Sequence, residues 1–526
     1  MADLPAFCRI KGVSKPTSAS AIGFEVWIPE GSTWNGKFAQ IGNGGFGGNV
    51  PHSTLAQYIR RGYATAGTDG GHTGTAADAA WALGQPEKVI DFSYRAMKET
   101  TDKSKALIAA YTGKSPRRSY FYGCSAGGRE ALMGAQRYPE DWDGIIVSAP
   151  ANFWTRQFAG FVWNQHAVLH NEASYIPAAK AAILSNAARK QCGGKDGGLA
   201  GDAFLNDPRA CAFDPAVTQC KPGQDDSTCL TPAQVTAAKA IYDGMRNPAT
   251  GLSLAPGYLP GSESAPDNWP AWMTGASPRT ARAHLFGGRY FQYFVLGKES
   301  GFDILDVNFA TDVARADAVD APVLNATNPD LSAFQRRGGK LIQYIGWDDS
   351  ATSSLNSINY YLSVAQEMGL AKPGAGSADL KKLQEFYRLF LVPGLAHCGG
   401  GPGANVFGNT GQNLDSPDAT LRDAGHDIVA ALDKWVEGGP APNRIIATKF
   451  EGDKVGQGVA FQRPLCAYPQ VAKYDGRGDP KVASSFMCAD SPQALAADLK
   501  RATEYVAQNQ AVLYNPPTPA ARRASP

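Results

Sequence analysis

Ser125 lies in the run Gly123-Cys124-Ser125-Ala126-Gly127, within YFYGCSAGGREALM (120–133). A Gly-x-Ser-x-Gly hydroxyl suits a sharp strand-to-helix turn. There a strained backbone lifts the oxygen clear of a sheet, and the flanking glycines avoid clashes. The neighbouring segments fit that context: SYFYG (119–123) is strand-like and GREALMGAQRY (128–138) has helical apolar spacing. A helix opening behind Ser125 would bring positive potential, and the Ala126 N–H can face an oxyanion. A serine nucleophile needs a base and an acid that orients the base. Of the seven histidines, His397 in VPGLAHCGGGPG (392–403) follows the last strand-like segment in a Gly-rich loop. For the acid, IQYIGWDDSAT (342–352) places Asp348 and Asp349 just beyond a strand, and position alone does not choose between them.

Cys124 precedes the serine and Cys398 follows the histidine. A Cys124–Cys398 disulfide would tie the nucleophile turn to the histidine loop. On a chain-entropy model a loop that long is worth roughly 5 kcal/mol at most. Cys124 itself does not suit the nucleophile turn, since Tyr122 and Ala126 stand two positions to either side of it. Cys192/Cys211, Cys220/Cys229 and Cys466/Cys488 are close pairs in loop-like sequence, as short disulfide-closed loops would be. Four disulfides imply an oxidising compartment, so a secreted or periplasmic protein is expected. The total of nine cysteines is odd, and Cys8 is the expected orphan.

These groups need a scaffold. FEVWIP (24–29), KFAQIG (37–42), YATAGTD (63–69), SYFYG and GIIVSAP (144–150) read as strands, and 87–111 and 128–138 as helices. That alternation predicts an α/β fold with a largely parallel sheet. From about 152 to 320 the chain turns richer in Gly, Pro, Trp and Tyr, and strands return at KLIQYIGWDD (340–349) and FYRLFLVPG (386–394). The expected layout is a core of 1–151 and 321–514, an insertion over 152–320 and a mobile tail over 515–526. A formal net charge of +2 gives no reason to expect nucleic acid, no apolar run spans a bilayer, and MADLPAFCRI does not read as a signal peptide. GNGGFG (42–47), with Asp69 beyond it, fits a dinucleotide fingerprint. It also suits the second half of an oxyanion hole, with Gly45, rather than Gly44, presenting its N–H to the Ser125 turn.

GCSAGGREALMGAQRYPEDWDGIIVSAPA, HCGGGPG and RPLCAYPQVAKYDGRGDP resemble the tannase and feruloyl esterase family, in order from about residue 8 to 490. The resemblance implies an α/β-hydrolase core, an inserted lid over an aromatic ester, Ser125 and His397 as triad members, and the disulfide between their loops. Its acid follows a strand-ending YHG glycine with two residues between them, which selects Asp349, although Ile345 replaces the histidine here. The family pairs its counterpart of Cys8 with an upstream cysteine, so Cys8 is expected to be orphaned by truncation. The family's lid calcium loop corresponds to CGGKDGGLAGDAFLNDP (192–208), where Asp196 and Asp202 match ligands, Gly193 replaces the first carboxylate and the loop is longer. A structural calcium is thus a possible cofactor, and none is expected for catalysis. Trp269, Trp272, Phe286, Tyr290, Phe291 and Tyr293 in the insertion are candidates to stack on an acyl group, and Arg289 to meet a carboxylate or phenol. The reading is a serine carboxylesterase acting on small aromatic esters, with hydroxycinnamoyl esters ahead of galloyl esters and terephthalate monoesters. A catalytically silent hydrolase fold used for binding is the rival class.

Overall fold

The computed structural model describes residues 4–372, 378–409, 419–455 and 457–513. The tail expected over 515–526 lies outside them. Eight strands form one sheet: β1 (Phe7–Ser14), β2 (Ile22–Pro29), β3 (Lys37–Ile41), β4 (Ala64–Thr68), β5 (Arg118–Cys124), β6 (Gly144–Ser148), β7 (Lys340–Gly346) and β8 (Tyr387–Val392). Their spatial order is β1-β2-β4-β3-β5-β6-β7-β8. β1 with β2 and β2 with β4 run antiparallel, and every other pair is parallel. The parallel strands are apolar because both faces are covered. Successive side chains alternate between two cores: Phe121 packs with Leu132, Trp142 and Phe334 on one face, whereas Tyr120 and Tyr122 pack with Tyr58, Tyr344 and Phe390 on the other.

The helices that matter for the site are α1 (Ala96–Thr112), α2 (Ala126–Arg137), α3 (Trp154–Leu169), α4 (Arg282–Arg289), α5 (Asp312–Leu324) and α6 (Ser354–Glu367). The long helix expected over 87–111 is interrupted by a π-helical turn at Asp91–Arg95. The insertion between β6 and β7, termed the lid for its place in the chain alone, contains α3, α4, α5 and a short hairpin of Met245–Arg246 with Ser253–Ala255. The boundary drawn at 320 falls inside α5. Arg129, on α2 and fully buried, fastens the base of this insertion. Its guanidinium donates to the carbonyls of Phe92, Ser93 and Leu324 and lies over the rings of Phe92 and Trp154. Two disulfides, Cys192–Cys211 and Cys220–Cys229, lie within the lid. Cys466–Cys488 joins two C-terminal hairpins outside the sheet, Arg444–Phe450 with Val459–Cys466 and Val471–Tyr474 with Phe486–Ala489. Cys8 on β1 is a free thiol.

β3 sits between β4 and β5, so the chain leaves β3 towards one side of the sheet and later returns on the other. Open α/β sheets bind ligands at such a switch point, beyond the carboxyl ends of the strands. The segments that follow β3, β5, β7 and β8 carry Gly45, Ser125, Asp349 and His397.

Candidate active site

Ser125 has φ 62° and ψ −119°, a left-handed-side conformation between β5 and the first turn of α2. Its backbone is held on both sides: the N–H donates to Ser148 O (3.1 Å), and the carbonyl accepts from Arg129 (3.0 Å) and Ala151 (3.1 Å). Strain at a reacting residue persists only where the surroundings hold it in this way. The two glycines of the motif are required by contact. A Cβ at Gly123 would come within 2.2 Å of Gly127 O, and one at Gly127 within 2.8 Å of Asn43 O. Ala126 opens α2, where no helix carbonyl reaches its N–H.

His397 Nδ1 is 2.9 Å from Asp349 Oδ2. The carboxylate also accepts from Thr352 Oγ1 (2.7 Å) and from the N–H groups of Ala351 and Thr352 (2.8 Å each). With an ionised carboxylate as partner, Nδ1 carries the proton and donates it, which leaves Nε2 free as a base. The acid turn and the histidine loop are fastened to each other by Trp347 N–H to Val392 O (3.0 Å) and Asp348 N–H to Leu395 O (3.2 Å). This approach requires Gly346, since a Cβ there would lie 1.8 Å from Leu395 O. Asp348 points away from the histidine into a buried polar cluster with Ser262 and Glu263. Burial pushes its carboxyl up to about 8.

Cys124 and Cys398 are joined, with Cα atoms 5.9 Å apart. All four expected pairings are therefore present. The oxyanion-loop candidates follow β3. The Phe46 N–H donates to Ala76 O (2.7 Å), and His72 Nε2 donates to Phe46 O (2.8 Å). Burial holds His72 neutral, with its imidazolium pushed down to about 4.

Ser125, Ala126, Gly44, Gly45 and His397 line one cavity of about 550 Å³, the size of a small-molecule site. Its wall is aromatic: Trp154, Phe158 and Phe161 from α3, Phe286 from α4, and Trp272. Trp272 meets the His397 ring edge-to-face at 5.2 Å and stacks on Phe286 at 5.9 Å. The one fixed charge in the lining is Arg282, an exposed residue on α4 whose guanidinium lies 5.5 Å over Trp272. Among the described residues no carboxylate pairs with it.

Of the proposed substrate contacts, Trp272 and Phe286 line the cavity and the others do not. Trp269 is buried against Tyr242, and Tyr290 is buried with its hydroxyl donating to Asp320 Oδ2 (2.8 Å). Arg289 donates to Ala77 O, and Phe291 and Tyr293 pack into the lid core. Lid aromatics are too abundant for sequence to separate those that face the cavity from those that fill the lid. Arg282 carried a signal, standing four residues before Phe286 on the same helical face.

In the loop of Asp196 and Asp202 both carboxylates have protein partners. Asp196 accepts N–H groups from Gly198 on Oδ1 and from Asn206 and Asp207 on Oδ2. Asp202 is paired with the Arg463 guanidinium at 3.1 Å. Among the described residues the one group of three metal-capable side chains is Cys220, Asp226 and Cys229, and its sulfurs are joined in a disulfide.

The family described as "Tannase and feruloyl esterase" matches residues 8–489. The chain belongs to that family. Its members are carboxylic ester hydrolases. It is 43% identical to an uncharacterized esterase of Xanthomonas campestris pv. campestris, over 94% of this chain and 86% of that protein. It is 32% identical to the mono(2-hydroxyethyl) terephthalate hydrolase of Piscinibacter sakaiensis, over 93% of this chain and 86% of the relative. The crystal structure of feruloyl esterase B from Aspergillus oryzae superposes with a TM-score of 0.81 at 29% identity, covering 93% of each chain. The family fold and the sheet described above agree.

Proposed function

We propose that this family member hydrolyses esters of aromatic acids through an acyl-enzyme on Ser125. The observation that carries the reading is the convergence of the Ser125 turn and the Asp349–His397 pair on one aromatic-walled cavity. The serine oxygen attacks the ester carbonyl while His397 Nε2 takes its proton. The Ala126 and Gly45 N–H groups stabilise the resulting oxyanion. The tetrahedral intermediate then expels the alcohol, which receives the proton from His397. Water, deprotonated by the same nitrogen, attacks the acyl-enzyme and releases the acid and the serine. Asp349 holds the imidazole tautomer throughout. A flat aromatic acyl group fits between Trp272 and the α3 phenylalanines, and hydroxycinnamoyl esters are the first choice.

A second reading rests on Arg282. An exposed guanidinium that lines an apolar cavity and meets no carboxylate among the described residues suits an acyl group that ends in a carboxylate, as in the monoester of an aromatic diacid. The test of both is acid release from methyl ferulate, methyl gallate and mono(2-hydroxyethyl) terephthalate, with Ser125→Ala as control. Turnover of at least one that vanishes in the control supports the serine mechanism. Turnover of none sinks the aromatic-ester assignment. On the second reading Arg282→Ala raises KM for the terephthalate monoester about tenfold and leaves methyl ferulate within twofold, an effect matching about 1.4 kcal/mol.

We place the protein in an oxidising compartment, secreted or periplasmic, on the strength of its four disulfides. No helix of the described residues is long and apolar enough to cross a membrane.

A further inference from the structure

Glu130 is a carboxyl group with no evident task. It lies on α2 one turn beyond Ala126 and is 4% exposed. Its Oε2 accepts the N–H of Asn43 at 2.9 Å. Asn43 is two residues before Gly45, and its own amide donates to Asn49 O (3.1 Å) and Thr68 O (2.8 Å), so it holds the loop after β3 closed. The contact has no slack. A Cβ at Gly42 would lie 2.7 Å from Gly127 Cα and 2.9 Å from Glu130 Oε2. The loop after β3 thus rests directly on the first turn of α2.

We propose that Glu130 is the positioning residue of the oxyanion hole, fixing the Gly45 N–H relative to the Ala126 N–H by holding Asn43 against the helix that Ala126 opens. This rests on the assignment of Ala126 and Gly45 as oxyanion donors under the proposed function. The two donors come from different segments of chain, β3–β4 and β5–α2, and an oxyanion needs both within hydrogen-bond reach of one point. Glu130 links those segments, since it sits on the helix that Ala126 opens and accepts the Asn43 N–H two residues before Gly45. An apolar residue would fill the same space more cheaply than a buried carboxyl. Burial pushes the Glu130 carboxyl up to about 7, against the pull of Arg129 and the Asn43 N–H. What the carboxyl supplies is an acceptor at full side-chain reach.

The test compares Glu130→Gln, Glu130→Asp and Glu130→Ala with wild type on methyl ferulate and on its thionoester, in which sulfur replaces the carbonyl oxygen. Folding is followed by circular dichroism and Tm. Glutamine keeps an acceptor at the same reach, so kcat stays within about fivefold. Alanine removes the acceptor and aspartate withdraws it by one methylene, so kcat falls about 100-fold for alanine and less for aspartate, with KM within threefold. The preference for oxygen over sulfur shrinks in the same order, because displaced donors no longer favour the oxyanion. A purely structural role would change Tm and leave that preference intact. A folded Glu130→Ala protein with wild-type kcat overturns the proposal. If the alanine variant does not fold, a glutamine variant slower than the aspartate variant overturns it instead. Failure of the underlying reading shows separately, as wild-type protein that turns over no aromatic ester or whose turnover survives Ser125→Ala.

Discussion

The Asp349 carboxylate accepts from His397 Nδ1, Thr352 Oγ1 and two backbone N–H groups, so its position is fixed independently of the histidine it orients. An amide in its place can turn an N–H towards Nδ1, which forces the proton onto Nε2 and removes the base. Asp349→Asn is therefore expected to lower kcat about 10⁴-fold with little change in KM. Steady-state kinetics on whichever ester wild type prefers would check it, and an effect under tenfold would remove Asp349 from the triad. Its neighbour Asp348 is one residue away and faces other partners, buried among lid groups with an unpartnered Oδ2. Sequence position could not separate the two. What separates them is which carboxylate the turn rotates towards the histidine loop, a property of the backbone path after Gly346.

The central strands could be read at the scale of elements, because the apolar runs at 24–29, 37–42, 63–69, 119–123 and 144–150 coincide with β2 to β6. β1 escaped notice: as an edge strand it alternates Arg9, Lys11 and the exposed Val13 with Cys8 and Ile10, and its polar half reads as loop. The cavity wall contributed by α3 was equally hidden, since WTRQFAGFVWNQ gives no sign of which aromatic residues face the site. Asp348 also acts at this scale, because it joins the turn after β7 to the lid segment at Ser262, beside the like-charged Glu263. The unfolded chain ionises this carboxyl near 3.8, while the folded chain resists ionisation up to about 8. Its contribution to stability is complete below about pH 4 and is lost as pH rises to about 8. In Asp348→Asn that slope should flatten, so the variant's Tm gains on wild type between pH 5 and pH 8, by several degrees at the upper end. Parallel Tm profiles for the two proteins would contradict this.

Across the whole molecule, the loop at 192–208 packs against the C-terminal hairpins. The Arg463 guanidinium pairs with Asp202, donates to Pro480 O and lies over Phe461 and Phe486. It brings a fixed positive charge to carboxylates that a calcium ion would otherwise neutralise. Stability should accordingly be indifferent to divalent cations: EDTA and added calcium are expected to leave Tm unchanged within a degree. Arg463→Ala is expected to cost about 1 kcal/mol by leaving the half-buried Asp202 carboxylate with the Leu199 N–H but no cation. A calcium-dependent rise in the Tm of wild type would restore the metal site.

The bond between Cys124 and Cys398 has a separation of 274 residues, and both chain crossings into the lid fall inside it. Covalently the lid is an arc of a closed ring. One proteolytic cut anywhere in that arc opens the ring without producing two molecules, because the severed halves stay joined beside Ser125 and His397. A nicked enzyme would run as one band until it was reduced, and the residues that perform the chemistry would still be fastened to each other. In the environment that lets its disulfides form, the exposed surface of the lid can be cut before the catalytic core is released.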